Sequence, residues 1–193
     1  ANASRIFKIP YEEIPTKDHY DNFLPTKRFL GKKCVHGLNY RMQAPLLAEE
    51  CGISMQEGFE AYSSYHKAFP EIQVGWRETI QEVRDNKMLF TPLGRRLIWL
   101  ERLSEESFDS VIAFKPQSTI GDKVSSVIYE CEEDSEWPSD ARMLLNVHDA
   151  LIALHRPEDN DIVQKVMKHH AESPILIRGE EVSILTDFKR SQP

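Results

Sequence analysis

A row of four side chains at helical spacing is the first feature of the sequence that could do chemistry. Every fourth position from residue 28 reads Arg28, Lys32, His36 and Tyr40. Side chains four residues apart share one face of an α-helix. Because a helix N-terminus presents unpaired N–H groups and a partial positive charge, the two cations there would form a polyphosphate site, with the two rings placed to stack on a base or sugar. The same spacing also fits an ordinary solvated face of an amphipathic helix.

The second candidate is the pair His148-Asp149, which stands between the apolar runs 141–147 and 150–154. Two apolar runs around two polar residues are the pattern of a buried hairpin with its turn at the polar pair. A carboxylate held at such a tip is well placed to bind Mg²⁺, which takes one or two carboxylates together with substrate phosphates. An ordinary polar β-turn explains the same pair, because Asp is a preferred turn residue.

Composition and charge bound the class of protein that carries these residues. The chain has 193 residues, of which 40% are hydrophobic and 28% charged, so it is a globular protein rather than a disordered, collagen-like or coiled-coil one. The net charge is −7, yet residues 1–42 carry eight Lys/Arg against four acids. An acidic whole argues against coating nucleic acid through bulk charge and leaves room for one focused cationic site near residues 27–33.

The cysteines and the apolar runs predict the compartment. Cys34, Cys51 and Cys131 are odd in number and widely spaced, which fits neither a disulfide framework nor a zinc knuckle. The apolar runs are far shorter than the roughly 20 residues of a membrane span, so we expect no membrane partner. A reducing, cytoplasmic location follows, or the host cytoplasm if a phage encodes the chain.

The elements that must position these residues divide the chain into a helical part and a mixed part. Residues 1–23 hold two prolines and no sustained period, which predicts an irregular lead-in. Four helices are then expected at 25–39, 44–50, 54–69 and 71–86, the third capped by Ser54 with Glu57 at capping-box spacing.

The remainder predicts an α+β arrangement with a small antiparallel sheet. A hairpin is expected within 88–100, where TPLG marks a turn. A helix from Ser104 should break at Pro116 and resume over 117–131, ahead of a solvated loop at 130–140. The hairpin at 141–154, a helix at 159–171 and two strands within 175–188 complete the prediction.

Five segments in order resemble family A DNA polymerases, the bacterial DNA polymerase I type. Residues 28–42 read RFLGKKCVHGLNYRM and resemble motif B, R-x3-K-x3-F/Y-G-x2-Y-G. Residues 145–150 read LNVHDA and resemble motif C, Q-V-H-D-E, while 117–122, QSTIGD, resembles Q-G-T-A-A-D. The segments 47–54 with 68–70, and 91–96, are similar to the family's segments after the motif B helix. The resemblance covers roughly 24–190 and implies a helical fingers subdomain at 24–95 and part of a palm at 96–193.

The resemblance implies a role for each matching residue. Arg28 and Lys32 would hold the triphosphate of the incoming dNTP, with His36 and Tyr40 completing the nucleotide site. Asp149 would be the metal ligand. Asp149 and Lys32 would be the catalytic residues. Contacts with primer–template DNA are implied for Gln117, Arg95 and His148.

This chain departs from the family pattern at several positions. His36 replaces an aromatic ring that lies against the sugar, and Arg41 replaces a glycine. Asp109 and Ala113 stand where the family usually has Arg and Asn, and Ala150 replaces a Glu. The change at His36 is the one that bears on sugar discrimination.

Motif A, D-Y-S-x-I-E, has no counterpart before residue 28. Two-metal phosphoryl transfer needs carboxylates clamping two ions about 3.5–4 Å apart, so one aspartate is insufficient. We therefore expect this chain to bind Mg²⁺ and act only with a polypeptide that carries motif A and a thumb, and to self-associate when isolated. A separate gene product, a cleaved upstream portion or an omitted portion would each supply the missing part.

Two other functions compete with a polymerase fragment. A non-catalytic polymerase-like module that binds nucleic acid would explain the departures at His36, Asp109, Ala113 and Ala150. A metal phosphohydrolase using His148 and Asp149 with His169 or His170 would require further ligands at spacings that the sequence does not show.

Overall fold

The computed structural model describes residues 2–14, 20–21, 24–25 and 27–190, and these fall into two compact units. The first unit is Ala1–Asp85 with Arg102–Ile112, and the second is Asn86–Glu101 with Ala113–Pro193. The units follow from packing alone, so the assignment of 24–95 to fingers and 96–193 to palm stays a prediction.

Helices make up most of the first unit, as predicted. The short strands β1 and β2 pair antiparallel, and 3-10 turns lie at Tyr11–Glu13 and Glu105–Ser107. The helices and strands are α1 (Asn2–Phe7), β1 (Tyr20–Asp21), β2 (Leu24–Pro25), α2 (Lys27–Asn39), α3 (Ala44–Cys51), α4 (Met55–Ala68) and α5 (Pro70–Asn86).

The prediction of an irregular N-terminal stretch missed α1. Ile6 is 7% exposed and belongs to an apolar cluster with Cys34, Leu38, Leu47 and Cys51. A six-residue helix is too short to be stable by itself, so its burial against α2 and α3 holds it in place. Local sequence carries little signal for an element of that kind.

The capping box at the start of α4 is confirmed. The Ser54 hydroxyl accepts a hydrogen bond from the Glu57 N–H, and the Glu57 carboxylate accepts one from the Ser54 N–H at 2.9 Å. Both bonds satisfy N–H groups that the helix leaves unpaired. The Ser54 N–H, together with the Ser54 hydroxyl that also donates to Glu57 Oε2 at 2.8 Å, holds the pKa of the Glu57 carboxyl below its usual value.

The second unit combines helices with antiparallel strand pairs. Its strands form three separate hairpins rather than the predicted single small sheet. Its elements are β3 (Met88–Phe90), β4 (Arg96–Ile98), α6 (Phe108–Glu133, shared with the first unit), β5 (Arg142–Val147), β6 (Ala150–Leu154), α7 (Asn160–Glu172), β7 (Ile175–Ile177) and β8 (Glu180–Val182).

The predicted break at Pro116 is wrong, because α6 runs through it from Phe108 to Glu133. A proline inside a helix removes one hydrogen bond and costs about 3 kcal/mol. Burial on both sides of the proline offsets that cost: Val111 is 0% exposed before it, and Val127 and Cys131 are 2% and 0% exposed after it. The helix also takes up the first part of the predicted 130–140 loop.

The α+β class is confirmed. The core of the second unit joins α6 to α7 through Val127, Cys131 and Val166, with Met143 and Leu151 of the β5–β6 hairpin packed against it. Within the described part of the chain, none of the helices is long and apolar enough to cross a bilayer.

Candidate functional site

Helix α2 carries the predicted cationic row on its outer side. Gly31, Cys34 and Leu38 are buried, at the three- and four-residue spacing of one helix face. Lys32 and His36 are exposed. The apolar stripe thus fixes the rotation of α2, and that rotation turns Lys32 and His36 toward solvent. Arg28 and Tyr40, at the two ends of the row, are half-buried.

The cations beside this row are already engaged. Lys33 Nζ donates to Glu50 Oε2 of α3, which ties the two helices together. Lys27 Nζ lies 5.9 Å from the centroid of the Phe7 ring on α1. Lys27 and Lys33, which flank the row, thus contact the neighbouring helices α1 and α3.

The two rings of the row contact each other. The His36 and Tyr40 ring centroids are 4.8 Å apart with planes inclined at 58°. Burial raises the pKa of the Tyr40 phenol, so it stays a neutral hydrogen-bond donor over the physiological range. The pair forms a polar, partly exposed aromatic surface at the C-terminal end of α2.

The end of α2 is a Schellman motif. Arg41 has φ +69°, and the Met42 N–H donates to the Gly37 carbonyl at 2.9 Å, which closes the six-residue ring of that motif. A Cβ on Gly37 would lie 2.3 Å from Met42 Cε and 3.1 Å from Met42 Cβ. Glycine at 37 therefore lets the chain fold back over the last turn.

Two aromatic side chains hold the same helix end, and the sequence predicts neither contact. Tyr65 of α4 donates its hydroxyl to Asn39 Oδ1 at 2.8 Å, and Trp76 of α5 donates Nε1–H to the Asn39 carbonyl at 2.8 Å. The partners are 26 and 37 residues apart in sequence, so no local pattern signals them. They fix the position from which Tyr40 projects.

The hairpin predicted around His148-Asp149 is present, but its predicted burial is wrong, because most side chains of both strands are exposed. Val147 pairs with Ala150, so His148 and Asp149 form a two-residue loop at the tip, and both are exposed. His148 has φ +58°, a backbone conformation that costs a non-glycine residue about 1–3 kcal/mol and is concentrated at functional sites. The strained tip presents the Asp149 carboxylate to solvent.

One face of this hairpin is apolar and exposed. Register places Leu145 opposite Ile152 and Val147 opposite Ala150, on the face turned away from Met143 and Leu151. A bulge between Met143 and Leu145 keeps this alternation in step. The exposed fractions are 58% for Leu145, 46% for Val147, 46% for Ile152 and 58% for Leu154.

Gln117 and Arg95, the remaining DNA-binding candidates, lie in the second unit. Gln117 is exposed on α6. Arg95 Nε donates to Asp122 Oδ1 at 2.7 Å, and this ion pair raises the pKa of the guanidinium. The Arg95 N–H also donates to Thr91 Oγ1 at 3.0 Å. Asp122 belongs to the QSTIGD segment, and its pairing with Arg95 is a contact that the sequence does not predict.

Comparison with known proteins decides the family. The family model for DNA polymerase family A matches residues 1–187. The chain belongs to DNA polymerase family A. It is 28% identical over 177 residues to DNA polymerase I of Borreliella burgdorferi, covering 86% of this chain and 18% of that protein. It is 26% identical over 195 residues to the thermostable DNA polymerase I of Thermus aquaticus, covering 96% and 22%. The chain thus spans about a fifth of the length of these relatives.

A solved structure shows the same fold. The POL domain of Pol1 from M. smegmatis, in complex with DNA primer–template and dNTP, matches with a TM-score of 0.71 at 21% identity. The match covers 87% of this chain and 29% of that domain chain. The family predicted from the sequence is confirmed, together with its fold class.

Among the described residues of this family A chain, no group of three or more His, Cys, Asp and Glu residues is arranged to hold an ion. Of the two further ligands named in the phosphohydrolase hypothesis, His170 already lies against carboxylates: its Nε2 is 2.8 Å from Asp134 Oδ2 and its Nδ1 is 3.5 Å from Glu130 Oε2. His169 is exposed. The pKa of the Asp134 carboxyl is lowered, first by the hydrogen bond that it accepts from the Glu136 N–H and second by its contact with His170. His170 of α7 thus lies between Glu130 in the last turn of α6 and Asp134 just after that helix.

Proposed function

We propose that this chain supplies the nucleotide-binding helix and one metal ligand of a DNA-directed DNA polymerase. The observation that carries the proposal is α2 itself, a helix in a family A chain whose buried stripe leaves Lys32 and His36 exposed. The reaction is attack of the primer 3′-hydroxyl on the α-phosphorus of a dNTP. The primer hydroxyl loses its proton to solvent, a new P–O bond forms to the primer oxygen, the α-phosphorus bond to the bridging oxygen breaks, and pyrophosphate leaves in line.

The residues of α2 would bind and orient the nucleotide. Arg28 and Lys32 near the N-terminus of the helix would contact the phosphates, where helix dipole and side-chain charge act in the same direction. His36 and Tyr40, in contact one and two turns further along, would meet the sugar and base. Lys32 would also stabilise the negative charge that develops on the leaving pyrophosphate.

Asp149 fits one part of a magnesium site. An exposed carboxylate at a hairpin tip is a suitable oxygen donor, but one carboxylate holds Mg²⁺ weakly without further carboxylates and substrate phosphates. Mg²⁺ bound there would lower the charge barrier to attack on the α-phosphorus. A second carboxylate, from motif A of another polypeptide segment, would complete the site.

The DNA would be contacted from the second unit. His148, beside Asp149, would lie near the primer end, and Gln117 on α6 would meet the minor groove. Arg95 would need to exchange its Asp122 partner for a phosphate, so its contribution to DNA binding should be smaller than that of an unengaged arginine.

The exposed apolar face of the β5–β6 hairpin favours binding of a second polypeptide. Four exposed apolar side chains lie on one face, and among the described residues both strands are open at their outer edges, which makes a surface that proteins usually cover by pairing. We propose that the polypeptide carrying motif A and the thumb covers it, and that the isolated chain self-associates through it.

The test compares two neighbouring lysines of α2. Lys32→Ala in the assembled polymerase should raise the apparent dNTP constant or slow incorporation by at least about tenfold, because one charge-assisted phosphate contact is worth about 1.5–3 kcal/mol. Lys33→Ala removes the same charge one residue away, from a side chain that pairs with Glu50, and should change either parameter less than about twofold. Equal effects of the two substitutions would show that Lys32 acts only as general surface charge and does not bind the nucleotide.

The non-catalytic alternative has its own signature. A binding module would retain primer–template in a gel-shift assay and give no nucleotide incorporation in any assembly with motif A. Incorporation that depends on Lys32 excludes that alternative.

A further inference from the structure

Arg41, the residue after the nucleotide-binding row, makes a set of contacts unusual for its backbone position. It occupies the left-handed C′ position of the Schellman motif, where glycine is favoured because a Cβ is strained there. Its guanidinium nevertheless reaches two carboxylates: Nη2 lies 2.8 Å from Glu105 Oε2, and Nη1 lies 3.1 Å from Asp109 Oδ1. Nη1 also lies 3.4 Å from the Glu105 carbonyl oxygen.

The surroundings of the guanidinium favour these ion pairs. The Arg41 side chain is only 22% exposed, whereas those of Glu105 and Asp109 are 78% and 64% exposed. Its carbon Cζ also lies 5.3 Å from the centroid of the Phe108 ring, which is buried. A half-buried cation held by a ring and two acids is screened less by solvent than a fully exposed pair.

The contacts of Arg41 complete a set that fixes the end of α2 from several directions. Asn39 is bonded by Tyr65 of α4 and Trp76 of α5, and Gln43 Nε2 donates to the Arg41 carbonyl at 2.7 Å. Arg41 adds the 3-10 turn at Glu105–Ser107 and the first turn of α6. Tyr40 stands between Asn39 and Arg41, so the setting of its ring against His36 follows from how both neighbours are held.

We propose that Arg41 is a positioning residue of the nucleotide site: through Glu105 and Asp109 it holds the end of α2, and with it Tyr40 and His36, in one orientation. This proposal rests on the proposed function of α2. The two ion pairs, which a glycine could not make, offset the backbone strain at residue 41. The role concerns the ring pair, so it affects how well a nucleotide is bound more than how fast it reacts.

The test uses Arg41→Gly, which relieves the backbone strain while it removes the side chain. In the full chain, amide hydrogen exchange at residues 39–42 should become at least about tenfold faster, although the midpoint of urea unfolding is unchanged or higher. In the assembled polymerase, the KM for a correctly paired dNTP should rise about fivefold with kcat changed less than about twofold. Arg41→Lys, which keeps the charge, should retain part of the wild-type protection from exchange and part of the wild-type KM.

A matched control separates the carboxylate contacts from the ring contact. Arg84 Cζ also lies 5.4 Å from the Phe108 centroid, so Arg84→Ala removes a second cation from that ring and leaves Glu105 and Asp109 in place. This variant should keep the wild-type KM and the wild-type exchange at residues 39–42. Asp109→Ala should reproduce part of the Arg41→Gly effect, and high salt should bring wild-type exchange toward that of Arg41→Gly.

Wild-type exchange and wild-type KM in Arg41→Gly would overturn the proposal. Loss of stability with unchanged KM would also overturn it, because it would make Arg41 a purely structural residue. If Lys32→Ala leaves the kinetics unchanged, the proposed function fails, yet the exchange measurement still decides whether Arg41 holds the end of α2.

Discussion

The crossing of α3 and α4 allows the packing to be tested with one methyl group. Gly58 on α4 is buried, and a Cβ built there would lie 2.7 Å from Ala48 Cβ and 2.9 Å from the Ala44 carbonyl oxygen. The second of these neighbours is backbone, so it cannot rotate away. Gly58→Ala therefore requires α3 and α4 to separate by a few tenths of an ångström or more.

The expected cost comes from two opposing terms. Alanine is better than glycine in a helix interior by about 1 kcal/mol. Overpacking of a close contact costs about 1–3 kcal/mol, and the backbone oxygen places this site at the upper end. The net loss of unfolding free energy should be about 1–2 kcal/mol.

Gly75 on α5 is the matched control. No heavy atom of the described residues lies within 4 Å of a Cβ built at this position, so Gly75→Ala carries the propensity gain alone. Its unfolding free energy should rise by about 0.5–1 kcal/mol. The two glycine-to-alanine changes thus have opposite predicted signs.

Urea unfolding followed by far-UV circular dichroism and tryptophan fluorescence measures both variants. With a slope of about 1–3 kcal/mol per molar urea, the two midpoints should differ by roughly 1 M. A Gly58→Ala midpoint equal to or above that of Gly75→Ala would refute the close approach of α3 and α4.

Three further predictions concern a buried imidazole, the strained hairpin tip and the thiols. Burial lowers the pKa of His66 below the value of about 6.5 that it has in the unfolded chain, so unfolding binds a proton and stability falls as the pH drops below about 6.5. His66→Phe should therefore lose less stability than the wild type between pH 7.5 and 5.5. Equal losses in the two proteins would contradict this prediction. His148→Gly should relieve backbone strain and raise the unfolding free energy by up to about 1 kcal/mol, and a lowered value would show that the tip is unstrained. Cys34, Cys51 and Cys131 are all buried, so a thiol reagent should modify them only as fast as the chain opens, and rapid modification of the native chain would contradict their burial.

The elements that the sequence predicts correctly are those whose signals are local. The Ser54–Glu57 capping box is set by residues three apart, and the hairpin at His148-Asp149 by alternating apolar runs around two polar residues. Helix α1 and the continuous α6 escape prediction because burial of Ile6, and of Val111 and Val127, decides them. Propensity gives way to tertiary packing at such places.

The candidate site follows the same division. The row from Arg28 to Tyr40 could be predicted because helical spacing and a family motif coincide on it. The contacts of Arg41 could not, since Glu105 and Asp109 lie 64 and 68 residues further along the chain. Likewise, the Arg95–Asp122 ion pair joins residues 27 apart in sequence, so no local pattern predicts it.

Primer extension tests most directly whether Asp149 is a catalytic metal ligand of an incomplete site. The chain is combined with a polypeptide carrying motif A, and wild type, Asp149→Ala and the exposed control Asp187→Ala are compared on one primer–template with Mg²⁺ and dNTPs. We expect templated synthesis by the assembly, loss of at least about a thousandfold with Asp149→Ala, near wild-type synthesis with Asp187→Ala, and no synthesis by the chain alone. Synthesis by the assembly that survives Asp149→Ala, or synthesis by a verified monomer of this chain alone, would contradict that role.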